Sequence, residues 1–267
     1  MYSTLVFCKA TNDGQISASN GYHLFSALSN TVTSTFGIDL FHRCKDSKKK
    51  ILLSALLPSK YWTDYPHFRV PSKITVRRGD PFAFRICFLN DLTYEVFLTS
   101  VVSSSFHIGH SYFSVVSFSE PGSSAICQKC SLEEIENMNP AAGVIFHFLS
   151  PTGFKSEGRQ LLFPTPELVF NSICRQWNDF TENTISPVFD DTVQVSEYDL
   201  KTLVVYGKRG SFTRGFLGFI CYDWHSAPLE TAMQLSMLAR FTLFSGVGCK
   251  TTQGMGQVYP ELRLEES

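Results

Sequence analysis

The sequence predicts an α+β chain made of two tandem ferredoxin-like domains. Its 267 residues suit one large domain or two small ones. Each half reads strand, helix, two strands, helix, strand, the order of the split βαβ unit. Between the halves, SEPGSSAICQKCSLEEIENMNP (119–140) breaks every periodicity and gathers Pro, Gly, Ser and four acids. The expected organisation is a first domain over 1–120, a linker over 121–140 and a second domain over 141–267. Only the element order repeats; the two halves share no clear sequence repeat.

In the first half, TLVFCKA (4–10) reads as a strand. GYHLFSALSNTVTSTF (21–36) places Leu24, Phe25, Leu28, Val32 and Phe36 at helical spacing. The basic stretch DLFHRCKDSKKK follows, then the short apolar run ILLSALL. KITVRRGDPFAFRICFL reads as a hairpin turning at Gly79-Asp80-Pro81. NDLTYEVFLTSVV fits a second helix despite its β-branched residues, and SYFSVVSFSE returns to strand alternation.

In the second half, GVIFHFLS is a strand, and PTPELVFNSICRQWNDF is a helix with Pro166 near its start. KTLVVYGKRG and GFLGFICYD are strands around a basic turn. SAPLETAMQLSMLARFTLFSG is the longest helix. Ser226 is its expected cap, and Leu229, Met233, Met237, Phe241 and Phe244 its apolar stripe. GMGQVYPELRLE supplies the last strand.

The chain is 43% hydrophobic and 18% charged, with 24 phenylalanines, so it can bury a core. A net charge of −1 gives no global attraction to nucleic acid; a polyanion site must be a local patch. The start, MYSTLVFCKA, has no signal-peptide pattern, and no run reaches about 18 apolar residues, so a cytoplasmic protein with no membrane partner is expected. Eight cysteines scattered through apolar runs read as reduced, buried thiols. Cys127-x-x-Cys130 lacks the second ligand pair that zinc needs and reads as two free thiols.

FSGVGCKTTQGMGQV (244–258) is the segment that asks for an explanation beyond packing. Gly246 and Gly248, then Gly254 and Gly256, flank Lys250 and two threonines. A phosphate-binding P-loop needs a glycine directly before the lysine, and both it and the dinucleotide fingerprint need strand before helix; here the helix comes first. A helix C-cap at Gly246 and a turn at Gly254 account for two glycines. Four glycines around a lysine suit a loop whose main chain approaches a phosphate, with Lys250 adding charge.

At this segment the sequence resembles the CRISPR-associated repeat endoribonucleases, the Cas6 family. ARFTLFSGVGCKTTQGMGQV is similar to the family's C-terminal glycine-rich signature. FLSPTGFKSEGRQLLFPTPELVFNSICRQWN resembles its strand, basic loop and P-x-P-E helix, RRGDPFAFRICFL its first-domain hairpin, and GFLGFICY the strand before its last long helix. The resemblance is strong over 143–259 and looser over 1–118. It implies paired ferredoxin-like (RRM-like) domains that bind the repeat of a CRISPR transcript and cut it without metal or small-molecule cofactor. The ribose 2′-hydroxyl attacks the adjacent phosphate, leaving a 2′,3′-cyclic phosphate and a 5′-hydroxyl. The implied partners are the repeat RNA, as precursor and product, and a CRISPR effector complex. The rival reading is a non-cleaving repeat-RNA-binding subunit of such a complex.

That chemistry needs a base for the 2′-hydroxyl, an acid for the leaving 5′-oxygen and a cation for the phosphorane. His42, in L-F-H just beyond the first helix, resembles the family's catalytic histidine and sits among Arg43, Lys45, Lys48, Lys49 and Lys50. Lys49 or Lys50 matches the assisting lysine. Members often carry a tyrosine on the first helix; here that stretch reads FSALSN, with Ser29 near the place and Tyr22 about two turns earlier. Tyr22 is therefore the candidate second group, with His23 as the alternative. His107 and His110 read as loop residues, and His147 as a satisfied core histidine. For RNA, residues 43–78 hold ten Lys or Arg against Asp46 and Asp64. GKRGSFTRG offers Lys208, Arg209 and Arg214 with Phe212 at a turn, and Lys155 and Arg159 add charge nearby.

Overall fold

The structure is a computed structural model that describes residues 1–37, 51–63, 71–186, 192–207 and 211–264. It divides into two compact units, with the chain crossing from the first to the second between Lys129 and Cys130. Residues 206–211 and 252–254 belong to the first unit.

The first unit runs β1 (Tyr2–Ala10), β2 (Gly14–Ser17), α1 (Gly21–Phe36), β3 (Ile51–Leu53), β4 (Leu57–Pro58), α2 (Lys60–Thr63), β5 (Lys73–Val76), β6 (Pro81–Phe88), α3 (Asp91–Val101), β7 (Ser105–Ile108) and β8 (Ser111–Phe118). Its main sheet is ordered β3-β6-β1-β8-β7, and neighbouring strands along it run antiparallel. Without the added β7, that is the 4-1-3-2 order of a ferredoxin-like fold. Phe82, Phe84 and Phe88 of β6 face α3, where Phe97 meets Phe88 at 5.1 Å between ring centroids. Phe106 and Phe113 extend the same aromatic core across β7 and β8.

The hairpin expected across Gly79-Asp80-Pro81 does not form. β5 pairs with β2, while β6 pairs with β1. The two long runs, β1–β2 and β5–β6, lie side by side and both bend at the same level. Gly79 N–H donates to the Ala10 carbonyl at 2.8 Å, and Ala10 N–H to the Asp80 carbonyl at 3.0 Å. The turn residues make a corner rather than a reversal, with Gly79 at φ 95°.

The second unit runs α4 (Leu132–Glu136), β9 (Gly143–Thr152), β10 (Phe154–Ser156), β11 (Arg159–Leu161), α5 (Pro166–Phe180), β12 (Gln194–Tyr206), β13 (Phe212–Asp223), α6 (Leu229–Ser245) and β14 (Val258–Arg263). The order β12-β13-β9-β14 repeats 4-1-3-2. Thr165 caps α5, with Pro166 in its first turn. Tyr222 O–H donates to the Pro164 carbonyl at 2.6 Å, tying β13 to the start of α5, and burial pushes its phenol well above its ordinary value.

The 119–140 stretch carries ordered contacts in both units. Ser3 and Gln128 exchange backbone hydrogen bonds at 2.8 and 3.0 Å, and α4 has a full capping box between Ser131 and Glu134.

Two details of α6 depart from expectation. Its N-cap position is Pro228, with no side-chain cap, because Ser226 sits in the turn that follows buried Trp224. Leu229 is 68% and Met233 45% exposed, so the expected stripe fails in the first turns. Burial runs instead through Leu235 and then every residue from Leu238 to Ser245, because α5, β9 and β14 surround the second half of the helix.

Asn90 caps α3, its Oδ1 accepting from Thr93 N–H at 2.9 Å and from the Thr93 hydroxyl at 2.6 Å. Asn90→Ala is expected to cost about 1 kcal/mol. Urea denaturation checks this: the midpoint falls while the slope stays constant.

Candidate nucleic-acid interface

The glycine-rich segment begins where α6 stops. Gly246, at φ 68°, ends the helix with its N–H on the Thr242 carbonyl. The chain then folds back on itself. Val247 N–H donates to the Gly256 carbonyl at 2.9 Å, and Gly256 N–H to Pro151 at 3.1 Å. Gly248 N–H donates to the Ser172 hydroxyl of α5 at 3.0 Å, and Cys249 N–H to the Gly153 carbonyl at 3.0 Å. A Cβ on Gly248 would lie 2.5 Å from that carbonyl oxygen, and one on Gly256 would collide with the Val247 carbonyl. Both glycines have positive φ. The N–H groups of all four motif glycines are therefore spent inside the protein. Lys250, at φ 57°, opens a 3₁₀ turn over Thr251–Gln253. Among the described residues, nothing accepts from the N–H groups of Lys250, Thr251 or Thr252.

Within the first unit, residues 252–254 pack on the start of α1. Gly254 N–H donates to the Leu53 carbonyl of β3 at 3.0 Å. A Cβ on Gly21 would lie 2.5 Å from the Gln253 carbonyl oxygen and 2.5 Å from the Gly254 Cα. Fully buried Asn20 fixes this helix start. Its amide donates to the Ser17 and Leu56 carbonyls at 2.8 Å each, and its Oδ1 accepts from Leu56 N–H at 2.8 Å. Tyr22, the next residue after Gly21, is half-buried and meets the exposed His23 ring edge-on at 5.7 Å. The structure so brings two predicted site residues, Tyr22 and Gly254, to one place. Ser29 is buried further along the helix.

In the second unit, β10 and β11 form a small hairpin bearing exposed Lys155 and Arg159. Gln160 joins it to β13: its Nε2 donates to the Thr213 hydroxyl at 2.8 Å and to the Arg214 carbonyl, and its Oε1 accepts from Arg214 N–H at 3.1 Å. The Arg214 guanidinium lies 5.6 Å from the centroid of the exposed Phe212 ring. Gly153, which receives Cys249, leads directly into β10. The glycine segment and the basic hairpin thus rest on the same few residues of main chain.

His42, Lys49, Lys50, Lys208 and Arg209 lie outside the described residues. His107 is exposed on β7 rather than in a loop, and its Nδ1 is 3.1 Å from the Gly109 carbonyl. His147 has a partner, Glu261, at 2.9 Å, on the less buried face of β9. Among the described residues no cluster of three or more His, Cys, Asp or Glu could hold a metal ion, and no helix is long and apolar enough to cross a membrane. The sequence reading missed Gly21, Asn20 and Gln160. The Asn-Gly pair at 20–21 was the available signal for the first two; Gln160 carries none, because its role depends on a strand 54 residues away.

Two antiparallel 4-1-3-2 sheets with a glycine-rich segment after the last helix define a tandem ferredoxin-like protein. Residues 146–258 match the family described as CRISPR-associated endoribonuclease Cas6. Over this segment the chain is similar to the Cas6 family. The CRISPR-associated endoribonuclease Cas6 of Streptococcus thermophilus is 32% identical over 125 residues, 44% of this chain and 50% of that protein. The protein of the same description from Mycobacterium tuberculosis (strain CDC 1551 / Oshkosh) is 26% identical over 116 residues, 42% of this chain and 36% of that one. The chain thus spans about half or less of the length of these curated relatives. A solved Cas6 (TTHB231) product complex has the same fold across 98% of this chain and 100% of its own, with a TM-score of 0.78 at 21% identity.

Gly256→Ala forces a side chain into a positive-φ site against the Val247 carbonyl. The expected loss is about 1–3 kcal/mol. Thermal and urea unfolding of the variant measure it.

Proposed function

We propose that this chain is an endoribonuclease that cuts CRISPR precursor RNA within the repeat, without a metal ion. The observation that carries the proposal is the Cas6 match over 146–258, which contains the whole glycine-rich segment and the basic hairpin beside it. Within the first unit, the packing of Gly254 on Gly21 supports a role for Tyr22 at the start of α1.

In the proposed reaction His42 accepts the proton of the ribose 2′-hydroxyl, and that oxygen attacks phosphorus. The P–O5′ bond breaks, the 5′-oxygen takes a proton, and a 2′,3′-cyclic phosphate remains. Lys49 or Lys50 stabilises the extra charge on the phosphorane. Tyr22 assists from the first turn of α1. The RNA strand is held by Lys250 and the free amides at the start of its 3₁₀ turn. Lys155, Arg159, Lys208, Arg209 and Arg214 bind further phosphates, and Phe212 stacks on a base. The four motif glycines contribute by shape, since their own amides have protein partners.

With a cognate repeat RNA in excess EDTA, the wild type is expected to cut once per repeat and leave cyclic phosphate ends. His42→Ala should lower the single-turnover rate by about 10²- to 10⁴-fold while binding is kept. If the wild type binds tightly and never cuts, the chain is instead a repeat-RNA-binding subunit of an effector complex. Lys250→Ala should weaken binding and reduce the log–log salt slope by roughly 0.7, the share of one phosphate on a single strand. Fluorescence anisotropy across a salt series reads this directly.

A further inference from the structure

The first unit's sheet has a second face, opposite α3, that is covered at one end and open at the other. Strand register defines it. Lys9 stands opposite Pro81 on β6 and Ser114 on β8, and Ser114 stands opposite Ser105 on β7. Directly paired residues share a face, and so do residues two apart in a regular strand, so Tyr112 of β8 and His107 of β7 lie there too, and exposed Val116 stands at the β8 bulge opposite the Phe7–Cys8 step. At the covered end, Arg85 is fully buried, its Nε donating to the Ser3 hydroxyl at 3.0 Å beneath Ile126. At the open end Tyr112 is 51% and Val116 64% exposed, and the Tyr112 ring lies 5.4 Å from the His107 ring.

The open end is also cationic. Lys9, Ala10, Thr11, Arg78 and Gly79 line an open recess of about 470 Å³. Lys9, Arg77 and Arg78 outnumber the two nearby carboxylates, which are held by main chain: Asp13 Oδ1 accepts from Arg78 N–H at 2.7 Å, and Asp80 Oδ2 from Arg77 N–H at 2.9 Å. Among the described residues, the side chains of Lys9 and Arg78 make no ion pair. Thr11 N–H donates to the Tyr112 carbonyl at 2.9 Å, so recess and ring pair are neighbours.

We propose that this open half-face binds single-stranded RNA lying outside the segment that is cut. A phosphate sits in the recess between Lys9 and Arg78, and a neighbouring base stacks on the Tyr112–His107 pair. Cations beside exposed rings are the combination that single strands require: charge for the backbone and a sequence-tolerant platform for a base. The proposal rests on the RNA-processing function above and extends it to flanking sequence.

The test uses the whole chain and a labelled repeat RNA, plain or carrying ten uridines at either end. One extension is expected to tighten wild-type binding about 5- to 10-fold, the effect of one stacked base plus backbone contacts. Lys9→Ala combined with Tyr112→Ala should abolish that gain and leave binding and cleavage of the plain repeat unchanged. Val116→Glu, which places an anion at the exposed β8 bulge without touching the recess, should do the same. Matched melting temperatures confirm that both variants fold. If the gain survives in both variants, or no extension tightens the wild type, the proposal is overturned while cleavage of the plain repeat still stands. If the wild type neither binds nor cuts the plain repeat, this proposal falls together with the function on which it rests.

Discussion

Main chain packed against main chain is the constraint on which this structure turns. After α6 the chain must reverse, pair with itself between Val247 and Gly256, and press onto Gly153 of the second unit's sheet connection. Within the first unit, Gly254 presses onto Gly21. Each approach leaves no room for a Cβ. Burying amides this closely is tolerable only because each finds an acceptor; an orphaned one would cost about 1–3 kcal/mol. The glycine spacing is thus a record of close backbone approaches. Under the proposed function it bears on RNA only by fixing where Lys250 and the amides after it stand.

This explains why the segment reads ambiguously from sequence. A loop that grips phosphate with its amides and a loop that grips its own protein with them demand the same residues. The distinction lies in which acceptors are nearby, and Pro151, Gly153, Ser172 and Leu53 come from elements far away in the chain. The same limit applies to β5. Its alternation marks it as a strand, but its choice of β2 over β6 depends on a shared corner between two distant runs. Elements with one wet and one dry side, such as α1, α3, α5 and β9, were legible because periodicity reports that asymmetry. The second half of α6 has no wet side, so its stripe could not be read. The roles given to His42, Lys49 and Lys50 rest on resemblance alone, since composition marks that stretch as basic but does not single out a catalytic group within it.

Charge is arranged by choice of partner rather than by composition. The chain is nearly neutral overall, which argues against a general affinity for polyanions. Yet several of its carboxylates are turned to amides. Asp13 and Asp80 serve the corner before β6, and the Ser131 N–H holds the Glu134 carboxyl below the usual carboxylate range. At the C-terminal strand Asp223 is paired with Arg263 at 2.6 Å, and Glu261 lies 2.9 Å from the His147 Nε2. A carboxylate that caps a turn still carries its charge, but its position is set by the main chain and not by the nearest cation. Beyond about 8–10 Å at physiological salt its field is screened. Cations that outnumber the carboxylates within that distance can therefore present locally positive surface on a chain whose sum is −1. Net charge averages over distances much larger than the screening length, so it could exclude a uniformly basic nucleic-acid binder but not one whose contacts are a few separated cations beside flat rings.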